Sequence, residues 1–246
     1  MAAYNAEPDI FSFFENTAVL AKSPAGVGAY TERSFFLGPL QFFSFAGAFS
    51  AFGGSIGFSI KHFGYRSYQE SEFGVAYAKQ LGAKVSIGAD FNYYQLNIPG
   101  YISDGTPNAR IGVLFYPTSK FAAGLDVYNP VGGKMGLNEK LATIIRLGFG
   151  YAFNTLFFMS AAVTKIEKQA AYLLFCMHYS LNQAFFLEAG FQTMASLIWI
   201  SVGYKLKNFR LDLRCSKHPW LGISNGVAVS YTVKRATHAG GEVDTK

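Results

Sequence analysis

The stretch Lys84-Val85-Ser86-Ile87-Gly88-Ala89-Asp90-Phe91-Asn92-Tyr93-Tyr94-Gln95 decides the fold class. Val85, Ile87, Ala89, Phe91 and Tyr93 fall on one face of an extended strand; Ser86, Gly88, Asp90, Asn92 and Tyr94 fall on the other. Successive strand side chains point to opposite faces, so this is strict period-two alternation. In a soluble sandwich the apolar face turns inward to a core. In a transmembrane barrel it turns outward to lipid, and the polar face lines a lumen. One strand leaves both open; the number, length and punctuation of the strands discriminate.

The alternation recurs on either side. Ile56, Phe58 and Ile60 oppose Gly57, Ser59 and Lys61, and Phe121, Ala123, Leu125 and Val127 oppose Ala122, Gly124, Asp126 and Tyr128. Phe185, Leu187, Ala189 and Phe191 oppose Phe186, Glu188, Gly190 and Gln192. Phe209, Leu211 and Leu213 oppose Arg210, Asp212 and Arg214. Strands are expected over 26–34, 40–50, 55–65, 70–80, 84–96, 108–116, 120–128, 140–153, 156–165, 169–180, 184–193, 196–206, 208–216 and 220–233. Most approach the 9–11 residues that a tilted strand needs to cross a bilayer. The links at Phe52-Gly53-Gly54, Leu81-Gly82-Ala83, Pro117-Thr118-Ser119, Asn154-Thr155, Asn182-Gln183 and Lys207-Asn208 are tight. Those at 66–69, 97–107, 129–139 and 217–219 are mostly longer. Tight turns at one end and longer loops at the other are the layout of an outer-membrane barrel. An even strand count puts both termini on the tight-turn side. The expected fold is all-β: a transmembrane antiparallel up-and-down barrel of about 14 strands with a short N-terminal helix. Residues 1–25 form the helical or plug segment, 26–233 the barrel, and 234–246 a polar tail expected to be disordered.

Composition agrees. Charged residues make up 15% of the chain, against about 25% in soluble domains, while 246 residues hold 25 Phe, 15 Tyr and 26 Gly. No run of about 18 apolar residues exists, which argues against a transmembrane helix. Met1-Ala2-Ala3-Tyr4 lacks the charged and apolar regions of a signal peptide, so an exported protein is expected here in mature or trimmed form. The net charge of +6 is carried by singly scattered Lys and Arg, with no basic stripe, so nucleic acid is not an expected partner. Cys176 and Cys215 read as buried or lipid-facing thiols rather than a bridge, and neither has zinc spacing.

Lone charges within strands are the most diagnostic feature. A charge at mid-strand facing lipid costs roughly 2–4 kcal/mol. Asp90, Asp126, Arg146, Glu188, Arg210, Asp212 and Arg214 are therefore expected to share one wet or mutually paired lumen. Arg210-Asp212-Arg214 beside Glu188 and Lys205 reads as a salt-bridge ladder. Residues 41–50 and 172–179 are largely apolar on both faces, which suits cover from inside by the N-terminal segment or from outside by another protein.

That segment does not alternate. Asp9 to Ala21 has apolar residues at helix-like spacing, with Asp9 a candidate N-cap and Pro24 a terminator. An interfacial helix, a lumen plug and an ordinary packed helix all remain open. Phe11, Phe13 and Phe14 are the candidate plug or apolar-ligand residues.

With helix, turn and strands in hand, Phe13-Phe14-Glu15-Asn16-Thr17-Ala18-Val19-Leu20-Ala21-Lys22-Ser23-Pro24-Ala25-Gly26 resembles the Asn-Pro-Ala-Gly region of FadL/TodX-type and PorV-like barrels, with Ser23 in place of the usual Asn. The hairpin of Ser67–Ala78 and Lys84–Tyr94 is similar to that group too. Those barrels have fourteen strands, and the PorV-like group is common in Bacteroidota. The resemblance implies the cell outer membrane and permits two roles: uptake of hydrophobic compounds, or a non-transporting partner barrel in a larger machine.

No catalytic set is legible. His62, His178, His218 and His238 have no Ser or acid partner at a recognisable spacing. Gly132-Gly133-Lys134 lacks the context of a phosphate loop, and Glu70 and Glu72 read as solvated loop-rim residues. The chain is expected to be non-enzymatic, with no metal or cofactor and with outer-membrane lipids around it. Short loops, of about eleven residues at most, favour an accessory subunit bound to another outer-membrane protein, in secretion or barrel assembly. The alternative is a FadL-like channel for hydrophobic small molecules.

Overall fold

The computed structural model describes Tyr4 and residues 8–135 and 139–233; the polar tail lies outside the described residues. The strands are β1 (Gly26–Arg33), β2 (Gln41–Ala51), β3 (Gly54–Tyr65), β4 (Tyr68–Leu81), β5 (Val85–Ile98), β6 (Ile102–Thr118), β7 (Phe121–Tyr128), β8 (Lys134–Met135), β9 (Glu139–Lys140), β10 (Ile144–Ala152), β11 (Phe157–Ile166), β12 (Tyr172–Ser180), β13 (Phe185–Gln192), β14 (Leu197–Leu206), β15 (Phe209–His218) and β16 (Gly222–Thr232). β8 and β9 pair only with each other, in the loop after β7. The other fourteen form a closed antiparallel barrel. β1 seals it against β16, from Gly26 opposite Thr232 to Arg33 opposite Asn225. Closure leaves no strand edge unpaired, a requirement where no water can satisfy the backbone.

The side chains sort as the alternation demands. Along β5, Ser86, Asp90 and Asn92 are buried in the lumen, while Phe91 is 64% exposed on the outside. Val75, Ile111, Leu147, Ile200 and Leu213 join it in an apolar outer belt. An apolar surface of that extent on a closed barrel faces lipid. The tight turns suit their strands: Phe52 and Gly53 have φ of 53° and 70°, the left-handed pair that matches the twist of a two-residue hairpin.

Three local expectations are corrected. The loop expected over 97–107 shrinks to a turn at 99–101: β5 and β6 stay paired out to Ile98 opposite Ile102. Its polar side chains hid the backbone pairing that holds it extended. Pro107, the last residue of that expected link, therefore lies inside β6, opposite Tyr93. The pairing with β7 has already stopped at Arg110, so Pro107 interrupts no second ladder. On the far side of the loop, β10 begins at Ile144, because residues 139–140 belong to the small hairpin.

The N-terminal segment is not an α-helix. It makes two short 3-10 turns, Ser12–Phe14 and Thr17–Ala21. Asn16 between them is extended (φ −148°, ψ 116°), and its Oδ1 accepts the Ala18 N–H at 3.0 Å. This side-chain cap replaces the helical ladder the apolar spacing suggested.

Candidate functional site: the plugged lumen

The two turns sit inside the barrel. Phe11, Phe13 and Leu20 are buried against Ala46, Ala48, Ala76 and Ala78 of the wall. This is the inner cover that doubly apolar β2 called for. Inward-facing glycines give the segment its clearance. A Cβ at Gly88 would lie 2.7 Å from the Thr17 carbonyl carbon and 2.8 Å from the Ala18 nitrogen; one at Gly57 would lie 2.8 Å from Leu20 Cδ2. Backbone approaches the wall this closely only where no side chain stands.

Polar ties fix the segment along β6, β7 and β10. Arg110 Nη1 donates to the Phe14 carbonyl at 2.6 Å, and Arg146 Nη1 donates to the Glu15 carbonyl at 3.1 Å. Asp126 Oδ2 accepts the Thr17 N–H at 3.2 Å. Asn16, fully buried, donates to the carbonyls of Leu125 at 3.2 Å and Val113 at 3.4 Å. Asp126 also faces Arg110 Nε at 3.7 Å. Asp90 is buried beside them, opposite Arg110 across the β5–β6 pair.

The remaining lumen charges gather on β12 to β15. Arg210 holds Asp212 with two bonds of 2.8 Å and lies 3.4 Å from Glu188 and 3.7 Å from Asp9 of the plug. Glu188 Oε1 is 3.1 Å from His178 Nδ1, and His178 Nε2 is 3.2 Å from Ser180 Oγ. Arg214 makes no salt bridge among the described residues; its guanidinium lies 4.2 Å from the Trp199 ring centroid. Lys205 lies 5.4 Å from the Phe186 ring and makes no salt bridge among the described residues. Of the seven charges read from sequence, Asp126, Arg146 and Arg210 touch the plug, Asp90 lies opposite Arg110, Glu188 and Asp212 pair with Arg210, and Arg214 lies over Trp199.

Several residues here escaped the sequence reading. Arg110 was assigned near a strand start, and the longer β5–β6 hairpin moves it into the wall. Glu72, expected on the rim, is buried with Lys61 Nζ at 2.7 Å and Tyr128 Oη at 2.6 Å. His178 does have acid and hydroxyl neighbours: the β12–β13 register sets it opposite Glu188, and Ser180 is the next inward residue on its own strand. A signal existed in the pattern His178-x-Ser180 followed by inward Glu188, legible only with the register known. Cys176 points inward and Cys215 outward on strands that do not touch, and both are free.

Cavities lie on both sides of the plug. On the loop side, one of about 270 Å³ is lined by Phe42, Phe63, Glu72, Tyr94, Arg110 and Tyr128, among others. On the turn side, one of about 520 Å³ runs from Phe157 and Phe158 past His178 and Ser180 to Lys205 and Arg210. A neighbouring cavity of about 440 Å³ shares Lys205 and Arg210 and reaches Lys22. Burial lowers the Lys22 pKa, while the Tyr116 ring, 3.3 Å from Nζ to centroid, favours its charged form. Phe11 and Phe13 are spent on plug–wall packing, and Phe14 stacks edge-on against Phe13 at 4.8 Å. The open volumes lie beside these rings rather than among them.

No family model matches the chain, and no curated protein matches it. Solved structures do. The Ralstonia pickettii toluene transporter TbuX superposes with a TM-score of 0.69 at 13% identity, covering 91% of this chain and 93% of that one. The CymD monoaromatic hydrocarbon channel gives 0.67 at 10% identity, covering 95% of both chains. The P. putida toluene transporter TodX gives 0.66 at 11% identity, covering 90% of this chain and 94% of that one. The chain folds as an outer-membrane barrel of the FadL/TodX type. At such identities the likeness is one of fold. It speaks to the FadL/TodX side of the resemblance and leaves the PorV-like side and a Bacteroidota source as expectations.

Proposed function

We propose that the chain is a plugged outer-membrane channel through which hydrophobic small molecules, monoaromatic hydrocarbons among them, enter the cell. The observation that carries the reading is the lumen itself: its own N-terminal segment closes it, with an aromatic-lined cavity on the loop side and larger cavities on the turn side. A barrel serving only as a wall has no need of chambers on both sides of a segment packed in its lumen. The fold it has in common with proteins described as toluene transporters and hydrocarbon channels supports the same reading. The accessory-subunit role suggested by short loops has no comparable support, and the channel takes its place.

The test is uptake of labelled toluene by cells whose outer membrane lacks such a channel. Expression of the chain is expected to raise the initial rate well above empty-vector cells. Equal rates, with the barrel folded in the membrane, would overturn the reading.

A further inference from the structure

The turn-side cavity contains a constellation that transport does not use. Ser180 Oγ, His178 Nε2, His178 Nδ1 and Glu188 Oε1 form one chain, with links of 3.2 Å and 3.1 Å. A single tautomer satisfies both links: Nδ1–H donates to Glu188, and Nε2 accepts the Ser180 hydroxyl proton. That is the order of a serine nucleophile, its general base and the carboxylate that orients the base. Ser180 and His178 both line the cavity of about 520 Å³. Phe157 and Phe158 give that cavity an apolar wall, and Lys205, Arg210 and Asn154 bring hydrogen-bond donors. The imidazole is held in place by Phe186, stacked at 5.1 Å between centroids, and Glu188 by Arg210 at 3.4 Å.

We propose that Ser180, His178 and Glu188 form a hydrolytic site for carboxylic esters with an apolar acyl group. Ser180 Oγ attacks the ester carbonyl carbon as its proton passes to His178 Nε2. Lys205 and Asn154, which line the same cavity, are the donors at hand for the oxyanion that forms. The C–O bond to the leaving group breaks, and His178 returns the proton to the departing alkoxide, leaving an acyl-Ser180. Water then gives a proton to His178 and attacks the acyl carbon. Ser180 leaves with that proton, and the products are one carboxylic acid and one alcohol. Ser180 and His178 are the catalytic residues; Glu188 is a positioning residue. The inference goes beyond the channel reading and does not depend on it.

The test uses the full chain, purified in a non-ionic detergent, with p-nitrophenyl esters of acetate and octanoate and with an alkyl fluorophosphonate. The fluorophosphonate is expected to add to Ser180, identified by peptide mass, and the octanoate ester to turn over faster than the acetate. Ser180→Ala is expected to abolish labelling and to lower hydrolysis at least about a hundredfold, with heat-modifiable gel migration unchanged. Glu188→Gln is expected to shift the pH profile of the remaining activity, against a surround of Asp9, Asp212, Arg210 and Lys205, and Glu188→Asp to restore part of it. No labelling of the folded wild type, or hydrolysis equal to that of Ser180→Ala, overturns the proposal. Toluene uptake is measured on wild-type cells and ester hydrolysis on the purified wild type, so failure of the hydrolytic site and failure of the channel are read separately.

Discussion

The carboxylate of Asp126 accepts the backbone N–H of Thr17 at 3.2 Å across 109 residues of sequence. A strand residue of β7 thereby holds a peptide group of the plug that has no partner within its own turn. Asp126→Ala leaves that N–H without its acceptor and removes the carboxylate 3.7 Å from the Arg110 guanidinium. The loss is expected to cost about 1–3 kcal/mol of plug docking. Amide hydrogen exchange at Thr17 and Ala18 is expected to speed up while exchange in β4 to β6 holds; unchanged protection at Thr17 would contradict it.

Gly88 sets how closely the plug can lie. In Gly88→Val the new Cβ would sit 2.7 Å from the Thr17 carbonyl carbon, with backbone on the other side of the contact. The plug must lift. Single-channel conductance in planar bilayers is expected to rise severalfold over the wild type. A Gly82→Ala control, in a turn with nothing within 4 Å of the added Cβ, pays only for its φ of 63°, about 1 kcal/mol, and is expected to leave conductance alone.

Leu213 and Arg214 are adjacent and face opposite media. Leu213 is 53% exposed on the lipid side, and Arg214 lies over Trp199 in the lumen. Leu213→Arg is expected to destabilise the barrel by about 2–4 kcal/mol, read as a lower denaturant midpoint in liposomes. Arg214→Leu meets no lipid penalty, and a larger loss there than at Leu213 would mean that the faces are wrongly assigned.

The two thiols give a chemical check of the same sidedness. Cys215, exposed on the outer wall, is expected to react with a membrane-permeant maleimide in the folded protein, whereas buried Cys176 is expected to react only after unfolding. Equal labelling of both in the folded state would contradict the register of β12 and β15.

The barrel was legible because its signal is repeated. Most strands state their faces by alternation, β2 and β12 excepted, and Asp90, Asp126, Glu188 and Arg210 each mark the lumen side without knowledge of any neighbour. What escaped depends on neighbours. The pairing of His178 with Glu188 follows from the β12–β13 register, which the turn at 181–184 sets and side-chain pattern alone does not. Glu72 looked like a rim residue because strand extension through 94–106 is made by backbone bonds under polar side chains. Asn16 was hidden in an apolar run whose spacing imitates a helix, although its side chain is what breaks that helix. Gly57 and Gly88 read as small lumen residues, and their use as a seat becomes visible only with the plug upon them.

The plug runs straight into β1, the strand that seals the barrel against β16. It is expected to seat before that seam closes. A circular permutant opened at the turn between β6 and β7, with its old ends joined, would tether the stopper at both ends. It is expected to mature more slowly than the native chain, by the rate of gain of protease resistance, because insertion would no longer precede sealing.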